Sequence, residues 1–207
     1  MGTSNRGFDI RAVRLGDIPS VVDVHLASFQ RFFLTFLGRS FLEHLYLEIA
    51  RDPGGVFFIA TSPDGTILGF AAGVQHLPDF YRKLTTKRLL TFGLASIWAA
   101  LRRPSIIPRL LRARSAPRQA GETACSATLM SIAVVPEAKG LGAGKLLIQA
   151  FLKEMAKRGT PKISLTTDRD NNASTLGFYQ GLGFSLVREF QTREGRWLCE
   201  FVINTQL

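Results

Sequence analysis

The stretch from Ile132 to Gly144 reads Ile-Ala-Val-Val-Pro-Glu-Ala-Lys-Gly-Leu-Gly-Ala-Gly, an apolar, β-branched run that stops at Pro136 and opens through three alternating glycines. Beyond it, Leu146, Leu147, Ala150, Phe151 and Met155 recur at helical spacing until Gly159 and Pro161 end the pattern. This predicts a strand, a turn and a helix N-terminus. Gly140, Gly142 and Gly144 carry no Cβ, so their amides can approach a ligand closely. Amides of a first helical turn lack intrahelical partners and lie at the positive end of the helix dipole, which suits a phosphate or diphosphate. Two familiar glycine patterns fail on spacing. A P-loop counted back from Gly144 and Lys145 needs glycine where Lys139 stands and a hydroxyl where Leu146 stands. A dinucleotide fingerprint needs its third glycine one place later and belongs to an opening βαβ unit, whereas this segment lies two-thirds of the way along the chain.

Working outward, residues 171–184 read Asn-Asn-Ala-Ser-Thr-Leu-Gly-Phe-Tyr-Gln-Gly-Leu-Gly-Phe. The two segments together resemble motifs A and B of the GNAT superfamily of N-acetyltransferases. In motif A, Val134 and Pro136 match, Lys139 replaces the usual Gln or Arg, and the three glycines are in register. In motif B, Asn172, Tyr179, Gly183 and Phe184 match, with Thr175 in place of the usual alanine. The resemblance is firm over residues 127–190.

It implies an α/β (α+β) fold: a mixed, mostly antiparallel central sheet with strands 4 and 5 splayed, flanked by helices. The co-substrate it implies is acetyl-CoA, passing its acetyl group directly to the amine of a small molecule, an amino sugar or another anionic amine being candidates. Ile132, Ala133 and Val134 would pair their backbones with the pantetheine arm, and the amides of Lys139, Gly140, Leu141, Gly142, Ala143, Gly144 and Lys145 would hold the pyrophosphate. The Val134 amide would polarise the thioester, Tyr179 would act as general acid, and Asn172 would touch the arm or brace the strands. No base is legible: between Glu122 and Glu137 the only ionisable side chain is Cys125. Thr128 stands where some members carry glutamate. A water held through Thr128 or Ser131, or His76, Asp79 or Glu122, would have to substitute.

The remaining periodicities fit that order. Phe8 to Leu15 alternates as a strand; Asp17 is placed to cap a helix through Val21, Val22, Val24 and His25. Phe41, Leu42, Leu45, Tyr46 and Ile49 mark a second helix after Gly38. Strands over 56–61 and 67–75 flank Ser-Pro-Asp-Gly-Thr, a hairpin signal. Ile163 to Thr167 is a strand, Asp168 and Asp170 are placed to cap the next helix, and 184–190 with 197–203 form a closing hairpin.

The length of 207 residues and 46% hydrophobic content suit one domain, 1–207, with a helical insertion at about 78–121 between strands 3 and 4. The net charge of +10 belongs to that insertion: residues 80–121 hold ten basic and no acidic side chains, while 16 of each sign balance elsewhere. Its apolar centre, Leu89 to Leu101, is shorter than the ~20 residues a bilayer span needs. It reads as a cover for the sheet, an anion-recognising lid, or an interfacial helix on an anionic membrane with Phe92 and Trp98 at the boundary. A second copy of the chain is a candidate partner; nucleic acid is disfavoured, since no interleaved aromatics accompany the charge. Cys125 and Cys199 form no CxxC or His cluster, so buried cysteines and no metal are expected. The N-terminal residues carry no apolar leader, and Arg6 breaks a myristoylation pattern, so a cytoplasmic location is expected. The alternative to an enzyme is a non-catalytic acyl-CoA-binding module that docks through the insertion.

Overall fold

The computed structural model describes residues 7–29, 35, 37–87, 127–192 and 195–205. In chain order these form β1 (Asp9–Ala12), α1 (Ile18–Ser28), α2 (Arg39–Arg51), β2 (Gly55–Thr61), β3 (Ile67–Val74), α3 (Leu77–Lys87), β4 (Ala127–Val134), α4 (Ala143–Lys157), β5 (Lys162–Asp168), α5 (Ala173–Gly181), β6 (Ser185–Gln191) and β7 (Trp197–Asn204). The strands make one seven-stranded sheet in the order β1-β2-β3-β4-β5-β7-β6. Every neighbouring pair is antiparallel except β4 and β5. The mixed, mostly antiparallel sheet flanked by helices is therefore as expected.

Strand alternation divides the apolar residues between two cores, one on each face of the sheet. On one face Leu147, Ile148, Phe151 and Met155 of α4 pack with Ala127, Leu129, Ile163, Leu165 and Phe201 of the strands and Tyr179 of α5. On the other, Val21 and Val22 of α1 and Leu42, Tyr46 and Ile49 of α2 cover Phe57, Phe70, Ala72 and Ala133. The buried stripe of α4 is rotated from the expected one, because Ile148 is fully buried and Ala150 only partly.

Other local expectations change too. Asp17 precedes α1 but does not cap it; its carboxylate takes the Arg11 guanidinium at 2.7 and 2.9 Å and the Arg14 amide at 2.7 Å. Asp168 and Asp170 cap nothing either, being paired with Arg196 and Arg169. In each case a nearby arginine offers a charge-assisted bond that competes with the helix amides. The segment expected as an insertion begins in helix α3, where Arg82 and Lys83 pair with Asp79 and Asp52. Lys87 ends that helix; the basic residues from Arg88 onward, the apolar centre with Phe92 and Trp98, Glu122 and Cys125 lie outside the described residues, and Cys199 is buried on β7, as expected. Among the described residues no helix is long and apolar enough to cross a membrane.

Candidate active site

Two departures from regular pairing open a site beside β4. Ser131 pairs with Ala72 and Leu129 with Gly73, so Met130 is an extra residue that bulges from the strand. On its other side β4 meets β5 only at Ala127↔Ile163 and Thr128↔Ser164. Beyond those two rungs the strands part. The Val135 amide donates to the Leu68 carbonyl on β3 at 2.8 Å. Main-chain groups alternate sides along a strand, so Ala133 also faces β3, while Ile132 and Val134 turn their N–H and C=O groups into the gap. Of the three residues expected to line a pantetheine arm, two present a free edge and Ala133 does not.

The gap leads to the glycine turn. Gly140 and Gly142 have φ of +81° and +87°, the left-handed region that only glycine enters without strain. That conformation reverses the chain, so that the Leu146 amide makes the first helical bond to the Gly142 carbonyl at 3.1 Å. The Lys139 and Leu141 amides are used inside the turn, on the carbonyls of Pro136 and Ala138. The amides of Gly140, Gly142, Ala143, Gly144 and Lys145 have no main-chain partner among the described residues, and they cluster at the positive end of α4. Gly144 serves packing as well: a Cβ there would lie 3.3 Å from the Phe178 ring of α5 and 3.7 Å from Val134 Cγ2. The exposed Lys139 and Lys145 add positive charge at the rim.

Asn172 braces the end of β5. Its amide nitrogen donates to the Thr167 hydroxyl at 3.0 Å and the Asp168 carbonyl at 2.7 Å, and its side chain caps no helix. Tyr179 is 6% exposed and packs against Phe178, Phe184 and Phe201. Burial pushes its hydroxyl up to about 12, so it keeps its proton at neutral pH. Thr128 sits at the closed root of the gap, within 3.2 Å of the Ser164 hydroxyl. His76 is exposed just before α3, two residues past Val74, which pairs with Thr128. The structure thus leaves His76 at the closed end of the gap, away from the α4 turn. Among the described residues no group of His, Cys, Asp and Glu could hold a metal ion.

The residues that reading the sequence did not single out lie on the other face. The Tyr46 hydroxyl donates to Ser131 Oγ at 3.1 Å and lies 2.6 Å from His25 Nδ1. A polar residue on the buried faces of α1 and α2 was the available signal, since His25 and Tyr46 fall at core positions of otherwise apolar stripes.

The acetyltransferase (GNAT) family model matches residues 110–184. A mycothiol acetyltransferase of Paenarthrobacter aurescens (strain TC1) is 40% identical over 68 residues, 33% of this chain and 20% of that protein. The [Ribosomal protein bS18]-alanine N-acetyltransferase of Escherichia coli (strain K12) is 37% identical over 74 residues, 34% of this chain and 49% of that protein. The matches thus span half or less of these relatives' lengths. Among solved structures, the ribosomal-protein-S18-alanine N-acetyltransferase from Escherichia coli superposes with a TM-score of 0.61 at 16% identity, over 97% of this chain and 95% of that one. SsHAT does so with a TM-score of 0.67 at 21% identity, over 97% and 100%. The family model matches 75 of the 207 residues and the neighbours share the fold, so what is established is a GNAT-like fold carrying a stretch, 110–184, similar to the GNAT acetyltransferase family.

Proposed function

We propose that the protein is an N-acetyltransferase that moves the acetyl group of acetyl-CoA directly to a primary amine of a small molecule. The observation that carries this reading is the continuity of the free β4 edge with the free amides of the α4 turn: one row of donors and acceptors for an extended amide-bearing arm, ending on a seat for a diphosphate. Ile132 and Val134 would bond the arm as a neighbouring strand does. The amides of Gly140 and Gly142 to Lys145 would meet the diphosphate oxygens. A thioester at the reactive end would be polarised by a gap-facing amide, of Val134 or of Ile132 nearer the root.

The incoming amine forms the new C–N bond, the C–S bond then breaks, and the amine loses a proton while the departing sulfur gains one. Tyr179, protonated and next to Phe178, whose ring lies 3.3 Å from where a Gly144 Cβ would stand, would supply the donor for that sulfur. Its pKa of about 12 lies well above the ~8.5 of an ordinary thiol. A hydrogen bond that strengthens as thiolate charge develops therefore suits it better than early proton transfer. Acetyl-CoA is expected to raise the melting temperature of the protein, and thiol release with a panel of amines to fall by ~10²-fold or more in Tyr179→Phe with acetyl-CoA binding kept. Absence of any stabilisation by acetyl-CoA overturns the reading. A second reading, an acyl-CoA-binding module without turnover, is favoured by one fact: β4 carries no carboxylate from Ala127 to Val134. Stabilisation without thiol release would support it.

A further inference from the structure

Three polar side chains form a chain from the core to the gap. His25, on α1, is 2% exposed and Tyr46, on α2, is 1% exposed, while Ser131 is half-buried where β4 leaves its bulge. Burying such groups costs free energy that an apolar trio of similar shape would not, so the arrangement calls for a use. Its polarity can be deduced. The Tyr46 hydroxyl has a single proton, which it donates to Ser131 Oγ at 3.1 Å. The 2.6 Å contact between Tyr46 and His25 Nδ1 must then be a bond donated by the imidazole, so the ring carries its proton on Nδ1. That leaves Nε2 as a bare lone pair, consistent with its having no hydrogen-bond partner though buried. Phe29, Phe70 and Tyr46 hold the ring in place from three sides.

The chain therefore runs one way, His25 to Tyr46 to Ser131. Ser131 accepts from Tyr46 and has its own proton left to give; among the described residues no acceptor takes it. It lies in the part of β4 that β5 does not pair, next to Ile132, whose amide faces the gap. We propose that the Ser131 hydroxyl, aimed by Tyr46 and His25, donates a hydrogen bond to the carbonyl oxygen of an acyl group held in the β4–β5 gap, beside the Ile132 amide. This rests on the acyl-CoA reading above. No proton is transferred in the step. As the amine nitrogen bonds to the carbonyl carbon, the π electrons move onto the oxygen, where two donors meet the charge; they return as the C–S bond breaks. Each bond along the chain polarises the next, which makes Ser131 a stronger donor than a hydroxyl in isolation. Ser131 is then a catalytic residue, and Tyr46 and His25 are positioning residues.

The test needs no knowledge of the acceptor. Infrared difference spectra of acetyl-CoA carrying 13C at the thioester carbonyl, bound to the protein, report the polarisation of that bond. The wild-type band is expected below that of free acetyl-CoA, and Ser131→Ala should return about half of the shift, since one of two donors is lost. Tyr46→Phe and His25→Ala should return a smaller part, and His25→Asn, whose amide can donate from the Nδ1 position, should restore it. With any amine that is turned over, Ser131→Ala should lower kcat by ~10²-fold with KM for acetyl-CoA unchanged. A band at the wild-type position in Ser131→Ala, with acetyl-CoA still stabilising the protein, overturns this proposal and leaves the acyl-CoA reading standing. Failure of acetyl-CoA to stabilise the wild type overturns both. Should Tyr46→Phe not fold, Ser131→Ala alone still decides.

Discussion

His25 is enclosed by Phe29, Tyr46 and Phe70, and desolvation pushes its pKa down from 6.5 to about 4. The sign of the consequence follows. Between those values the unfolded chain binds a proton that the native state refuses, so stability falls as the pH drops from 6.5 towards 4 and is unaffected by this group at higher pH. The gap between 6.5 and about 4 corresponds to roughly 3 kcal/mol. Urea unfolding at pH 7 and pH 4.5 should show the acid loss reduced by about 2–3 kcal/mol in His25→Asn relative to wild type, because the variant has nothing to protonate. An equal acid loss in both would place the cause in other groups. At this scale the sequence shows His25 on a helix face and Tyr46 on another, but their meeting with Ser131 joins residues up to 106 positions apart, and no local pattern reports it. Tyr179 and Asn172 were legible only through their spacing within a motif. What Asn172 does, holding Thr167 and Asp168, depends on the tertiary path of the chain after β5.

The entry to α4 is the element on which most of the site depends. Its glycines and their turn could be read from the sequence. The division of labour among the amides could not, since the Pro136–Ala138 turn takes up those of Lys139 and Leu141 and leaves the others open. Gly142 is the position where side chain and backbone conflict most directly. An alanine at φ +87° costs about 1–2 kcal/mol in left-handed strain. Gly142→Ala is expected to lower the unfolding free energy by that amount and, by displacing the open amides, to reduce the rise in melting temperature caused by acetyl-CoA. A variant that loses stability but keeps the full acetyl-CoA shift would show that the diphosphate sits elsewhere. The β2–β3 hairpin, by contrast, was fully legible: Gly65 at φ +89° and the Ser62 amide on the Thr66 carbonyl at 2.9 Å are what Ser-Pro-Asp-Gly-Thr predicts.

Over the whole molecule, the sheet with a core on either face follows from alternation and helical spacing, and so was within reach of the sequence. The separation of β4 from β5 was expected only through the family resemblance, because neither strand's composition marks where pairing stops. That separation has a mechanical meaning. β1 to β4 and β5 to β7 are two ribbons, each laced throughout by antiparallel rungs, and joined along the sheet by a parallel ladder of two. A ligand arm lying along β4 would supply rungs that the protein itself lacks, so binding would act across the seam as well as at the turn. Amide hydrogen exchange provides the measure. The Ile132 and Val134 amides should exchange freely in the unliganded protein and become protected with acetyl-CoA, while that of Ala133, already facing β3, should be protected in both states. A seam left open in this way would let the co-substrate serve as the missing strand of the sheet, so that loading adds main-chain rungs between two ribbons otherwise held by the core beneath α4 and the two rungs at the root.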